Sequence, residues 1–122
     1  MLASPCIGGR MKLSTRKVGD VVVIDVDGKI VLGDGDVEIK QIVDNLLGKG
    51  SRQFLLNMAK VPYLDSAGLG EIIRCFTALR KNGGSFKLFS ANQRIIDLMT
   101  ITKLLDVFDM FDNEAAAIAS FS

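Results

Sequence analysis

Short apolar and polar runs at the start of the chain give way further along to apolar residues at helical spacing. Leu13 to Val18 and Val21 to Val26 flank Gly19-Asp20, a Gly/Asp turn of the kind that joins antiparallel strands. Val21-Val-Val-Ile-Asp-Val26 is β-branched and nearly continuous in hydrophobicity, as expected of a strand covered on both faces. Gly28 to Gly35 reads as a loop with an apolar island at Ile30-Val31-Leu32. Asp36 is placed to cap a helix with the apolar face Ile39, Ile42, Val43, Leu46 and Leu47, ended by Gly48 or Gly50.

Gln53 to Met58 is a second buried strand, and the loop through Pro62 leads into a helix striped by Leu69, Ile72, Ile73, Phe76 and Leu79. Gly83-Gly84 stops it. Ser85 to Ser90 alternates as a strand, Gln93 to Thr100 carries Ile95, Ile96, Leu98 and Met99 at helical spacing, and Val107 to Phe111 supplies a short edge strand. Asp112 then caps an alanine-rich last helix. A hairpin followed by alternating strands and helices predicts an α/β sandwich: a mixed sheet of about four to five strands packed with about four helices.

Composition narrows the function classes. The 122 residues fit one domain, and 48% hydrophobic with 24% charged residues is a globular balance. Residues 1–10 read as a flexible extension and 11–122 as the domain. Fifteen basic against fourteen acidic residues give a net charge of +1, with no basic block and no tryptophan, which argues against a nucleic-acid partner. No apolar run reaches the ~20 residues of a membrane span, so no membrane insertion is expected. Cys6 and Cys75 lack the paired spacing of a zinc or redox site; they suit a reducing, cytoplasmic setting, with Cys75 as core packing.

The chain has no histidine. A Ser-His-Asp triad is therefore impossible, and the commonest metal ligand and neutral-pH base is missing. Leu64 stands where a nucleophile elbow around Ser66 needs glycine. Gly33-Asp-Gly-Asp-Val-Glu38 has two glycines of a dinucleotide fingerprint but glutamate in place of the third, and its carboxylates would repel a pyrophosphate. Asp34, Asp36 and Glu38 do not fit the twelve-residue calcium loop. Asp25 and Asp27 alternate onto one strand face, yet no acid-base partner can be named for either. No enzyme activity, cofactor or metal is expected.

The sharpest local feature is Pro62-Tyr-Leu-Asp-Ser-Ala-Gly-Leu-Gly-Glu71, a hydroxyl directly behind a carboxylate at a helix start. Asp65 or Ser66 can satisfy free backbone N–H groups there, a cap worth ~1 kcal/mol. Ala67, Gly68 and Gly70 leave the first turn bare of bulky side chains, whereas a structural helix favours alanine over glycine by ~1 kcal/mol. An open backbone of this kind suits close approach by another protein.

Phe54-Leu-Leu-Asn-Met58, Val61-Pro-Tyr-Leu-Asp-Ser-Ala-Gly-Leu-Gly70 and Gly83-Gly-Ser-Phe-Lys-Leu-Phe89 follow one another in the order and register of a known family. Over about Met11 to Phe121 the chain resembles the STAS domain, especially the free-standing anti-sigma factor antagonists of bacteria. The resemblance implies partner switching. The unphosphorylated antagonist binds an anti-sigma factor and frees a sigma factor; the anti-sigma factor, a serine kinase, phosphorylates it and is released; a serine phosphatase resets it. Carried onto this chain, the phosphorylated residue is Ser66. The docking face takes in Asp27, Gly28, Asp34 and Asp36 of the preceding loop with Asp65, Ser66, Ala67, Gly68, Leu69 and Gly70. Asn57, where the family usually has aspartate, and Gly33-Asp-Gly-Asp36 depart from the family pattern. A second implied role is a non-switching STAS scaffold or accessory subunit in a stress-signalling or lipid-transport complex, with Ser66 only a cap and contact.

Overall fold

A computed structural model describes residues 12–33, 35–104 and 107–121. The hairpin forms as the pattern predicts: β1 (Lys12–Val18) pairs antiparallel with β2 (Val21–Asp27) across Gly19, whose φ of 61° is the left-handed conformation such a turn uses. The chain then alternates through α1 (Asp36–Gly48), β3 (Gln53–Lys60), α2 (Ser66–Lys81), β4 (Ser85–Phe89), α3 (Gln93–Ile101), β5 (Met110–Phe111) and α4 (Glu114–Ala119). The sheet runs β1-β2-β3-β4-β5, with β2 through β5 mutually parallel.

Alternation sorts the strand residues between two faces. Val22, Ile24, Val26, Phe54, Leu56, Met58, Phe86 and Leu88 meet Ile39, Val43, Ile72, Cys75, Leu79, Ile95 and Met99 in the main core. Val21, Val23, Leu55 and Phe89 face the other way and are covered by Ala117 of α4. β2 is thus buried on both faces, which is why its sequence does not alternate. Each fully buried aliphatic or aromatic side chain contributes ~1.5–3 kcal/mol of transfer free energy, and Phe54, Ile24, Ile39, Leu56 and Leu88 are among those sealed from solvent.

Three boundaries differ from expectation. Asp36 is the first residue inside α1, not its cap; Gly35, at φ 107°, is the N-cap, and the Glu38 carboxylate reaches back to accept from the Gly35 N–H at 2.9 Å. Asn113, not Asp112, caps α4, accepting from the Ala116 N–H at 2.8 Å. The edge strand is only Met110–Phe111, because pairing to β4 is limited to Leu88 and Phe89. Residues 1–10 lie outside the described residues.

Candidate functional site

Beyond the paired ends of β2 and β3, where Asp27 stands opposite Lys60, the two following loops stay zipped together. Gly28 N–H donates to the Lys60 carbonyl (3.0 Å), Ile30 N–H to the Tyr63 carbonyl (3.1 Å) and Asp65 N–H to the Ile30 carbonyl (3.3 Å). Ile30 and Leu64, bridged across the loops, are both buried. Apolar burial thus pins the very segment that reads as loop in the sequence.

Asp65 is the N-cap of α2. Its Oδ1 accepts from the Gly68 N–H at 2.9 Å, and its Oδ2 accepts from the Leu32 N–H at 3.1 Å, so one carboxylate ties the β2–α1 loop to the start of the helix. These two amides, Gly68 first and Leu32 second, hold its carboxyl below the usual aspartate range. Ser66, the first helical residue, is exposed, and its hydroxyl makes no hydrogen bond among the described residues. The alternatives left open by the sequence separate here: the cap is Asp65, and Ser66 has no part in it.

The two glycines of the first turn do different work. A Cβ at Gly68 would lie 2.1 Å from the Ile30 carbonyl oxygen, so this glycine admits the chain's own loop and is buried beneath it. That corrects the expectation of an opening for a visiting protein at this position. Gly70 is exposed with no atom within 4 Å of a Cβ, which keeps that expectation for the outer side of the turn. Leu69 is 7% exposed and belongs to the core; Ala67 is partly buried.

The other residues of the expected face fall into place around this start. Asp27 is exposed and Gly28 half-buried at the strand end. Asp36 accepts from the Gly33 and Val37 N–H groups at 2.9 and 2.7 Å, folding the loop back onto α1. Asp34 lies outside the described residues. Leu32, whose backbone is held by Asp65, is 76% exposed, and Tyr63, three residues before the serine, is 37% exposed. Both lie in segments the sequence picks out, the apolar island Ile30-Val31-Leu32 and the Pro62 to Glu71 motif, but neither is given a site role there, because exposure of one apolar side chain in a loop has no local signal.

Asn57 also has a structural account. Its amide donates to Asp25 Oδ1 at 2.8 Å, while Arg16 bonds the same carboxylate and Glu114 of α4. Arg16 first, then Asn57, holds the Asp25 carboxyl low; Arg16 does the same for Glu114. An aspartate at 57 would oppose two carboxylates. Among the described residues no group of three or more His, Cys, Asp or Glu side chains could hold a metal ion. At the far end of the sheet a shallow crevice collects Lys17, Lys49 and Arg52, but Arg52 donates to the Leu47 carbonyl in the last turn of α1, where cations complement a helix C-terminus, and to the Ser51 carbonyl of the loop that follows.

The sequence profile of the STAS domain matches residues 12–117. The chain belongs to the STAS domain family. Relatives of this STAS domain include the anti-sigma-B factor antagonist of Bacillus subtilis, 30% identical over 89 residues that cover 73% of this chain and 80% of that protein. Among solved structures, the fold is that of an anti-sigma factor antagonist from Thermotoga maritima, with a TM-score of 0.83 at 24% identity over 88% of this chain and 92% of that one. The fold is also similar to that of the Bacillus cell fate determinant SpoIIAA in its phosphorylated form, with a TM-score of 0.73 at 18% identity over 90% and 99% of the two chains. The mixed five-stranded sheet opening on a hairpin, with four helices, is the STAS fold. Among the described residues no helix is long and apolar enough to cross a membrane.

Proposed function

We propose that this STAS domain is an anti-sigma factor antagonist that works by partner switching, with Ser66 as the residue whose phosphorylation abolishes binding. The observation that carries the reading is the division of labour at the start of α2: Asp65 caps the helix through Gly68, and the neighbouring Ser66 hydroxyl is exposed and, among the described residues, uncommitted. The relatives named as anti-sigma factor antagonists support the partner class. In this reading the unphosphorylated face, made by Ser66, Gly70, Leu32 and the Asp27 to Asp36 loop, binds an anti-sigma factor that is also a serine kinase. A serine phosphatase restores the hydroxyl.

The physics of such a switch is local. A phosphate adds about −1.5 to −2 charges at pH 7, and a helix N-terminus tolerates an anion, so the fold survives modification. Burying that charge against a partner surface shaped for a hydroxyl costs ~2–5 kcal/mol. This weakens affinity by roughly 30-fold to several thousand-fold. The test is incubation with the cognate anti-sigma factor and ATP, followed by intact-mass analysis. Wild type gains one phosphate and Ser66→Ala none; a wild-type chain that gains no phosphate acts as a scaffold instead.

A further inference from the structure

Tyr63 is the single tyrosine of a chain without tryptophan, and it lies three residues before Ser66. The Arg94 guanidinium carbon sits 4.9 Å from its ring centroid. Arg94 is on the first turn of α3, and that turn is fastened to the same loop: the Asn92 side chain donates to the Val61 and Pro62 carbonyls, 3.2 Å each, while its oxygen caps the Ile95 N–H at 2.9 Å. Among the described residues the guanidinium has no carboxylate partner, and Asp97, the acid on its own helix, accepts instead from Gln93. A cation is therefore parked on an aromatic face of the loop that leads into Ser66, with no hydrogen bond from its guanidinium among the described residues.

We propose that Arg94 is the intramolecular partner of a phosphoryl group on Ser66, leaving the Tyr63 ring to pair with it when the serine is modified. The proposal rests on the reading of Ser66 as a phosphorylation site. Three residues of extended chain span at most roughly 11 Å, which bounds the separation of the Tyr63 and Ser66 backbones; the proposal requires the arginine side chain to cross what remains of that gap. A cation–π contact at an exposed ring is weaker than a charge-assisted, two-point bond to a dianionic phosphate, so the exchange runs toward the phosphate. Among the described residues, the charged residues of the segments meeting at this end of the sheet are Asp27, Lys29 and Asp36 before and at the start of α1, Lys60 at the end of β3, Asp65 at the cap and Arg94 on α3. Asp65 is already engaged by Gly68 and Leu32, whereas Lys60 is paired with Asp27 only in backbone register, so its side chain is the competing cation that the test must separate from Arg94. Arg94 is the cation on the helix whose first turn Asn92 ties to the loop leading to Ser66, and its departure to the phosphate uncovers the Tyr63 ring. The phosphorylated face would then differ from the unmodified one in shape as well as in charge.

The experiment uses the full chain with phosphoserine installed at position 66 by genetic encoding, so neither kinase nor partner is needed. The phosphate's second ionisation, followed by phosphorus NMR, falls lower in the wild-type background than in Arg94→Gln by roughly 1 pH unit. Arg94→Lys keeps part of this shift, and Lys60→Gln leaves it intact. Emission from Tyr63 changes between the Ser66 and phosphoserine forms in the wild-type background and not in Arg94→Gln. Equal ionisation in wild type and Arg94→Gln, or an equal effect from Lys60→Gln, overturns the proposal. Either result is independent of whether phosphorylation weakens partner binding, which is measured separately.

Discussion

The carbonyl oxygen of Ile30 occupies the space in which any residue other than glycine at position 68 would place its β-carbon, 2.1 Å away. The β2–α1 loop and the start of α2 are therefore fitted to each other through backbone contact. Gly68→Ala must push the loop off the helix, at a cost of ~1–3 kcal/mol in stability. Gly70→Ala meets nothing and stabilises the helix by ~1 kcal/mol. Urea unfolding midpoints of the two variants should move in opposite directions, and a parallel shift would contradict the assignment of the two glycines.

Asp65 gives a prediction with a pH window. Its folded carboxyl titrates below the ordinary aspartate range because it accepts from the Gly68 and Leu32 amides. Its contribution is thus fully present above the unfolded value of about 3.9 and is lost as pH falls through the lower folded value. Asp65→Asn should lower the melting temperature at neutral pH and speed hydrogen exchange at the Leu32 amide. It should leave the Ser66 hydroxyl as exposed as before. Unchanged exchange at Leu32 would mean that the carboxylate does not hold the loop.

The pairing of Asn57 with Asp25 is tested by restoring the family's aspartate. Asn57→Asp replaces a donated hydrogen bond to a charged group with a facing carboxylate, a loss of ~2 kcal/mol at pH 7. Two carboxylates sharing a site raise the ionisation of one above its unfolded value, so the variant should recover stability as pH is lowered toward 5. Arg16→Leu removes the cation that Asp25 and Glu114 share. These groups are partly solvent-exposed, so the loss should be only ~1 kcal/mol, with less steepness below pH 4. Thermal melts at pH 7, 5 and 3.5 separate the two effects.

Cys75 is sealed in the core, where burial first and then the Glu71 carboxylate push its thiol well up from the ordinary range. In a Cys6→Ser protein, reaction with a thiol-specific disulfide reagent should be slow in buffer and fast in denaturant. Rapid labelling of the folded chain would show that α2 does not stay packed on the sheet.

What could be read from the chain in advance was what repeats. The β-branched run Val21 to Val26 and the apolar stripe of α2 declare their elements because burial imposes a period. Caps were harder. Asp36 and Asn113 each sit beside a residue equally able to cap, and the choice is made by glycine at 35 and by where β5 ends. At the site, Asp65-Ser66 was visible as a motif, but the carboxylate's reach to Leu32 and the closeness of Ile30 to Gly68 are contacts across more than 30 residues, which no local spacing encodes. For the same reason the Tyr63–Arg94 stack and the Asn92 tie to Val61 and Pro62 could not be inferred.

In the proposed function a partner reads the exposed Ser66 hydroxyl while the fold ignores its modification. Titration calorimetry of the cognate anti-sigma factor against the unmodified chain and against the phosphoserine-66 chain, with melting curves of both, measures this directly. The phosphorylated chain should bind at least ~30-fold more weakly and melt at nearly the same temperature. Equal affinity for the two forms, or loss of binding that follows unfolding of the phosphorylated chain, would contradict it.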